Sequence, residues 1–139
     1  MVRPAALRSG EQWSGEQRYG LTVTSNELDR VREICLSFPE AEERETWGHP
    51  TFRVRDRIFV SSGLGDDDGR SQMVAMKAIP GEQESLLAEG HPFFRPKYVG
   101  SKGWIGIVLD AQTDWGEIRE LVEDSYRLIA PKRLVAQIK

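Results

Sequence analysis

The sequence has few of the residues that build disulfide frameworks, metal centres and membrane spans. One cysteine and two histidines occur among its 139 residues. An intrachain disulfide is therefore excluded, and a zinc site would lack Cys and His ligands. The longest apolar run beside a predicted strand, Trp104–Leu109, is far shorter than the ~20 residues that span a bilayer. We expect a protein of the reducing cytoplasm that does not enter a membrane.

An excess of positive charge is missing as well. Lys and Arg total 19 against 22 Asp and Glu, which gives a formal net charge of −3. This balance excludes a uniformly basic nucleic-acid-binding protein. A chain of this length buries enough surface to fold as one domain without a disulfide or a metal. We expect a monomer with no obligate metal and no cofactor.

The residues before Thr24 differ in composition from the rest of the chain. Residues 1–23 are rich in Gly, Ser, Arg, Glu and Gln, and their few apolar residues show no period. This composition predicts a disordered tail. Met1–Gly10 contain no continuous apolar stretch, so we expect no secretory signal. A single folded domain is predicted over residues 24–139.

Periodicity and turn residues predict the elements of that domain. A capping box begins a helix at Thr24, and Pro39 ends it. Two apolar runs around Arg55–Asp56 predict a β-hairpin whose register stays open, and Asp114 caps a long helix. Sequential strands joined by short turns pair antiparallel, so the predicted class is α+β, an antiparallel β-sheet with helices packed on it. The remaining predictions are strands over 72–79 and 104–109, short helices after Pro80 and Pro131, and an irregular segment over 90–103.

Sequence motifs of common enzymes are absent. There is no Gly-x-Ser-x-Gly elbow, and the glycine-rich segments lack the spacing of nucleotide-binding loops. Asp66–Asp68 lack the alternating ligands of a calcium loop. His49 with Glu43 or Glu45 is the best acid/base pair that the chain offers. We predict no catalytic residue and a non-enzymatic protein.

One stretch of the chain combines cations with aromatic rings. Between Phe93 and Trp104 the sequence holds Arg95, Lys97 and Lys102, four aromatic residues and no acid. Cations of this kind neutralise a phosphate backbone, and rings stack on bases. The alternative is that the rings pack under an irregular loop while the basic side chains extend to solvent.

A second basic cluster surrounds the predicted hairpin. Arg53, Arg55 and Arg57 recur at a spacing of two, which places alternate side chains of a strand on one face. Together with Lys132 they extend the candidate nucleic-acid-binding set. The alternative is a solvated edge that discourages pairing with another sheet.

Two further functions remain open. Glu40, Glu42, Glu43 and Glu45 form an acidic stretch that either holds a hard cation weakly or is simply solvated. A small-molecule or protein-interaction module would instead use an amphipathic pocket. The candidate pocket residues are Trp47, His49, Phe52, Tyr98, Trp104, Ser125 and Tyr126.

Three segments together resemble the MmcQ/YjbR family. They are Glu45–Val54, Tyr98–Trp104 and Ser125–Lys132, and the resemblance extends over roughly residues 28–134. It implies a fold similar to the frataxin-like CyaY architecture. The family is commonly named as DNA-binding, so the resemblance implies DNA as a partner, and no catalytic set comes with it. The matching positions are Trp47, His49, Phe52, Tyr98, Lys102, Trp104, Tyr126 and Lys132.

Overall fold

The computed structural model describes residues 22–46, 48–64 and 72–138. The predicted tail, apart from its last two residues, and the candidate Trp47 lie outside these ranges. The helices are α1 (Thr22–Leu36), α2 (Glu82–Glu89), α3 (Trp115–Ile129) and α4 (Lys132–Val135), and a 3₁₀ turn covers Gly100–Lys102. The strands are β1 (Glu42–Thr46), β2 (His49–Val54), β3 (Arg57–Leu64), β4 (Gln72–Lys77), β5 (Phe93–Phe94) and β6 (Trp104–Leu109).

These six strands form one sheet in the order β1-β2-β3-β4-β6-β5. Every neighbouring pair is antiparallel. The helices contribute side chains to a single core with one face of this sheet. The predicted α+β class, an antiparallel sheet with helices packed on it, is therefore confirmed.

The helix-covered face carries a ladder of apolar cross-strand neighbours. Phe52 lies opposite Val60, Val60 opposite Met76, and Met76 opposite Ile105. All four are fully buried, as is Tyr126 of α3, which packs against them in the same core. Burial of large apolar side chains is the main stabilising contribution to a domain of this size.

The opposite face of the sheet is built from small side chains. Ser61, Ala75 and Gly106 follow one another across β3, β4 and β6. Phe94 of β5 pairs with Gly106, and its ring occupies the space of the missing side chain, because a Cβ at Gly106 would lie 2.5 Å from Phe94 Cζ. The short strand β5 lies inside the segment predicted to be irregular, so that part of the prediction is wrong.

The predicted hairpin is confirmed, and the structure supplies its register. Val54 pairs with Arg57, and a bulge lies between Phe52 and Arg53. The two turn residues, Arg55 and Asp56, have φ values of 49° and 69°. Positive φ at both central positions is the type I′ geometry, whose twist matches that of the flanking strands.

The helix boundaries follow their caps with one exception. Asp114 caps α3 as predicted, since its Oδ1 accepts a hydrogen bond from Glu117 N at 3.1 Å. The predicted start at Thr24 is wrong, because α1 begins at Thr22 and continues through the capping-box pattern. Across the ranges that the structure covers, no helix combines the length and apolarity needed to cross a membrane.

Candidate nucleic-acid interface

Several basic segments meet at one end of the sheet. The β2–β3 turn lies at this end, and Lys77 closes β4 opposite Trp104, the first residue of β6. Because Phe94 pairs antiparallel with Gly106, the chain also leaves β5 toward this end. The connection between β5 and β6, residues 95–103, which we call the β5–β6 loop, therefore lies beside the ends of β4 and β6.

Helix α4, which follows α3, brings further cations to the same end. Tyr126 Oη near the end of α3 donates to Pro39 O at 2.6 Å, in the connection that leads into β1. Arg55, and to a lesser degree Arg133 of α4, lower the pKa of the Glu40 carboxyl, which places α4 beside the hairpin turn. We call this surface the basic rim; its residues are Arg53, Arg55, Arg57, Lys77, Arg95, Lys97, Lys102, Lys132 and Arg133.

The hairpin side of the basic rim is partly neutralised. Arg55 Nε donates to Glu40 Oε1 at 2.7 Å in an exposed ion pair. Arg53 is half-buried, and its Nη2 donates to Thr46 Oγ1 at 3.0 Å. Arg57 is exposed and forms no ion pair with a described residue. Of the three hairpin arginines, Arg57 is thus the one whose charge is most available to a ligand.

The cations of the β5–β6 loop have no carboxylate partner among the described residues. Arg95, Lys97 and Lys102 are exposed and form no ion pair with a described residue. No acidic residue occurs over residues 90–109. The stem of Arg95 lies against Gly100, where an added Cβ would meet Arg95 Cγ at 2.7 Å. Gly100 thus makes room for the stem of Arg95, whose side chain remains exposed to solvent.

Tyr98 occupies an unusual position in the same loop. Its side chain is 91% exposed, and its φ is 68°. Val99 N donates to Lys97 O at 2.7 Å, so Tyr98 is the central residue of a γ-turn with positive φ, a rare and strained form. The ring is thereby displayed to solvent next to Lys97 rather than packed under the loop.

The loop is held from outside by α2. Gln83 Nε2 donates to Gly100 O at 2.8 Å and to Trp104 O at 2.7 Å. Within the loop, Ser101 Oγ donates to Tyr98 O at 3.2 Å. The backbone is thus anchored on the side of the loop that follows Tyr98.

The candidate pocket residues are spread over the molecule. Phe52 and Tyr126 are fully buried core residues. Ser125 is also fully buried; its Oγ donates to Phe59 O at 2.7 Å and accepts from Lys77 N at 3.0 Å. This hydroxyl joins α3 to β3 and β4, so its polar contacts are already satisfied inside the protein.

His49 and Trp104 lie at opposite ends of the sheet. His49 begins β2, far from the hairpin turn, whereas half-buried Trp104 begins β6 at the basic rim. His49 pairs with Thr46, so these two side chains lie on the same face of the sheet. Because side chains alternate along a strand, Glu43 and Glu45 both lie on the opposite face. The structure therefore does not bring the candidate acid/base pair together. Nδ1 of His49 is buried and has no hydrogen-bond partner among the residues that the structure describes.

Three glutamates of the acidic stretch form ion pairs with three different arginines. Glu40 pairs with Arg55, Glu42 Oε1 lies 3.3 Å from Arg44 Nη2, and Glu43 Oε1 lies 2.6 Å from Arg32 Nε. Each of these carboxylates thus has its own cation. In the part of the chain that the structure describes, no three metal-ligating side chains lie together.

Two residues of the site have no clear signal in the sequence. Lys77 lies inside the strand predicted over 72–79, and its place at the basic rim depends on the strand order, which pairs β4 with β6 rather than with β5. Gln83 is one polar residue among several in α2. Its two hydrogen bonds join segments 17 and 21 residues apart, a separation that no local pattern reports.

Comparison with known proteins identifies the family. A Deinococcus radiodurans protein with a DUF419 domain has a TM-score of 0.62 and 21% identity, over 73% of this chain and 77% of that chain. A Pseudomonas syringae protein has a TM-score of 0.56 and 17% identity, over 75% of this chain and 96% of that chain. These likenesses concern the fold alone, and no curated protein matches the sequence. The YjbR family model matches residues 36–128, more than half of the chain, and the chain therefore belongs to the YjbR family.

Proposed function

We propose that this protein binds DNA without catalysing a reaction. In this proposal the basic rim of the protein contacts the phosphate backbone of the DNA. The observation that carries the proposal is the meeting of Arg57, Lys77 and the three cations of the β5–β6 loop at one end of the sheet. None of these five side chains pairs with a carboxylate of a described residue. Unpaired Lys and Arg side chains are the groups that displace counterions from a phosphate backbone.

The dimensions of the basic rim fit such a ligand. Neighbouring strands lie about 4.8 Å apart, so the five strands from β2 to β5 spread the cations over roughly 20 Å. Several consecutive phosphates can contact a row of this length. The resemblance to a family commonly named as DNA-binding supports the same partner.

The acidic residues restrict binding to this end of the molecule. Glu117, Glu120 and Glu123 lie along α3, and the net charge is negative. DNA approaching α3 meets like charge, whereas DNA approaching the basic rim does not. We therefore expect moderate affinity with a strong dependence on salt.

Fluorescence anisotropy of labelled single-stranded and duplex oligonucleotides tests the proposal. Between about 50 mM and about 200 mM salt, a single strand that contacts the three loop cations gives a slope near −2 in a plot of log K against log salt concentration. Lys102→Glu should weaken binding and make the slope shallower, because it removes one contact and adds a repulsive charge.

Arg119→Glu provides the matched control. Arg119 is exposed on α3 among acidic neighbours and away from the basic rim, and its substitution makes the same change in net charge. Binding should be nearly unaffected. No binding at about 50 mM salt, an affinity independent of salt, or equal losses in the two variants would each contradict the proposal.

A further inference from the structure

We infer that Tyr98 is a stacking platform for an unpaired base, so that the basic rim selects single-stranded over duplex nucleic acid. This inference rests on the proposed function and specifies its ligand. It depends on three features of the β5–β6 loop: the exposure of the ring, the conformation of its backbone, and the anchoring of that backbone.

The exposure of Tyr98 sets it apart from the other large apolar side chains at the described surface. Leu36, Ile79 and Leu128 are between 38% and 41% exposed, whereas Tyr98 is 91% exposed. An aromatic ring in that state contributes almost nothing to the core. It does offer a flat face on which another ring can stack.

The backbone at Tyr98 disfavours the residue that occupies it. A non-glycine residue in the left-handed region is uncommon, and a bulky one is an outlier. Here φ is 68° at a tyrosine whose ring makes no compensating burial. Backbone strain that no contact within the fold compensates is typical of sites where the side chain binds a ligand.

The strained turn is nevertheless held firmly. Gln83 ties both Gly100 O and Trp104 O to α2, and Gly103, with φ of 88°, closes the loop through its hydrogen bond to Gly100 O at 3.1 Å. The backbone that carries the ring is therefore held in place before a ligand arrives. A preorganised platform loses little conformational entropy on binding.

The surroundings of the ring determine which nucleic acid can use it. Lys97 adjoins Tyr98, and Arg95 and Lys102 belong to the same loop, so phosphates on either side of a stacked base meet cations. In a duplex the base faces are already stacked on each other. A single strand exposes them, and stacking on aromatic side chains with cations along the backbone is the usual mode of single-strand binding.

Three ligands of equal length distinguish the contribution of base stacking to binding from the contribution of phosphate charge. They are a single-stranded thymidine oligonucleotide, a duplex, and an abasic deoxyribose-phosphate strand that keeps the phosphates but has no bases. We expect the full-length protein to bind the thymidine strand more tightly than either of the others, by about 5-fold to about 150-fold, the range of losses found when one stacking ring is removed.

Two variants of Tyr98 test the ring itself. Tyr98→Asn removes the ring but places at the site a residue that tolerates positive φ, so the loop conformation is preserved. It should bring binding of the thymidine strand down to the level of the abasic strand. Tyr98→Phe keeps the ring and should bind like the natural protein.

The outcomes distinguish this inference from the proposed function. Salt-dependent binding that is equal for all three ligands and unchanged in Tyr98→Asn overturns the stacking platform but leaves binding by the basic rim intact. A preference for duplex also overturns the stacking inference. No binding to any of the three ligands overturns both proposals.

Discussion

Tyr98 is a single residue whose left-handed backbone conformation lowers the stability of the folded protein. A left-handed conformation costs a non-glycine residue about 1–2 kcal/mol, and a side chain that is 91% exposed recovers almost none of this through burial. Stability and binding should therefore respond to substitution in opposite directions at this position.

We predict that Tyr98→Gly leaves the free energy of unfolding unchanged or raises it by up to about 1 kcal/mol, since relief of steric strain outweighs the entropy cost of glycine. Urea denaturation measures this difference. Val99→Gly is the control, because Val99 in the same loop has an ordinary φ of −88° and is half-buried; it should lose stability. A loss of more than about 1 kcal/mol in Tyr98→Gly would mean that the ring supports the fold.

Among the secondary-structure elements, α2 holds the β5–β6 loop through the side chain of Gln83. It is a short helix in which Leu86 is buried and Leu87 packs partly buried against the core. The amide of Gln83 adds two hydrogen bonds, one to Gly100 O at the start of the 3₁₀ turn and one to Trp104 O at the start of β6. These two hydrogen bonds fix the loop to the rest of the fold.

We predict that Gln83→Leu destabilises the protein by about 1–3 kcal/mol, because Trp104 O and Gly100 O each lose a hydrogen bond and only Gly100 O keeps a further donor, Gly103 N. Hydrogen–deuterium exchange should quicken over residues 96–104 and stay unchanged in β2 and β3. Glu84→Ala, an exposed neighbour on the same helix, should change neither quantity. Unchanged exchange in the loop of Gln83→Leu would show that the loop is held by other contacts.

Helix α1 is joined to the edge strand β1 by a bidentate ion pair. Arg32 Nε and Nη2 donate to the two Glu43 oxygens at 2.6 Å and 2.9 Å. This hydrogen bonding lowers the pKa of the Glu43 carboxyl below its ordinary value. A carboxyl with a lowered pKa stabilises the folded state above its unfolded-state pKa, and the contribution is lost as the pH falls through the folded-state value.

We therefore predict that Glu43→Gln lowers the free energy of unfolding by about 0.5–1 kcal/mol at neutral pH, the scale of partly exposed pairs. The difference from the natural protein should shrink as the pH falls below about 4.5. Glu45→Gln on the same strand, which forms no ion pair with a described residue, should have little effect at either pH. A difference for Glu43→Gln that is the same at both pH values would exclude the ion pair as its cause.

Across the whole molecule, charge is separated by the course of the chain. The hairpin turn, the end of β4 and the β5–β6 loop bring cations to one end of the sheet, while α3 carries a row of glutamates. Burial raises the pKa of the Glu117 carboxyl, and the neighbouring acids Glu89, Asp114 and Glu120 raise it further. A net charge of −3 therefore conceals a local basic surface.

Much of the fold could be predicted from local patterns. Arg55–Asp56 between two apolar runs predicted the hairpin, and Asp114 three residues before Glu117 predicted the cap of α3, because turns and caps depend on residues close in sequence. The pairing of Arg55 with Glu40, 15 residues away, and the place of Lys77 at the basic rim depend on how strands are ordered. No local pattern contains that information.

The positive φ of Tyr98 was likewise beyond prediction. Left-handed positions are predicted from glycine or asparagine, and a tyrosine gives the opposite signal. The sequence indicated a candidate site from the cations and rings of residues 93–104, with packing of the rings under the loop as the alternative. It could not separate Phe93, which is buried in the core, from Tyr98, which is not.

The most direct test of the account is a map of the surface that DNA touches. Backbone amide chemical shifts of the ¹⁵N-labelled protein, followed during titration with a single-stranded thymidine oligonucleotide at low salt, provide it. The account predicts that the largest changes fall on residues 95–104, with smaller ones at Arg57, Lys77 and Arg133. Changes centred on α1 or on the acidic face of α3, or none at saturating oligonucleotide, would contradict binding at the basic rim.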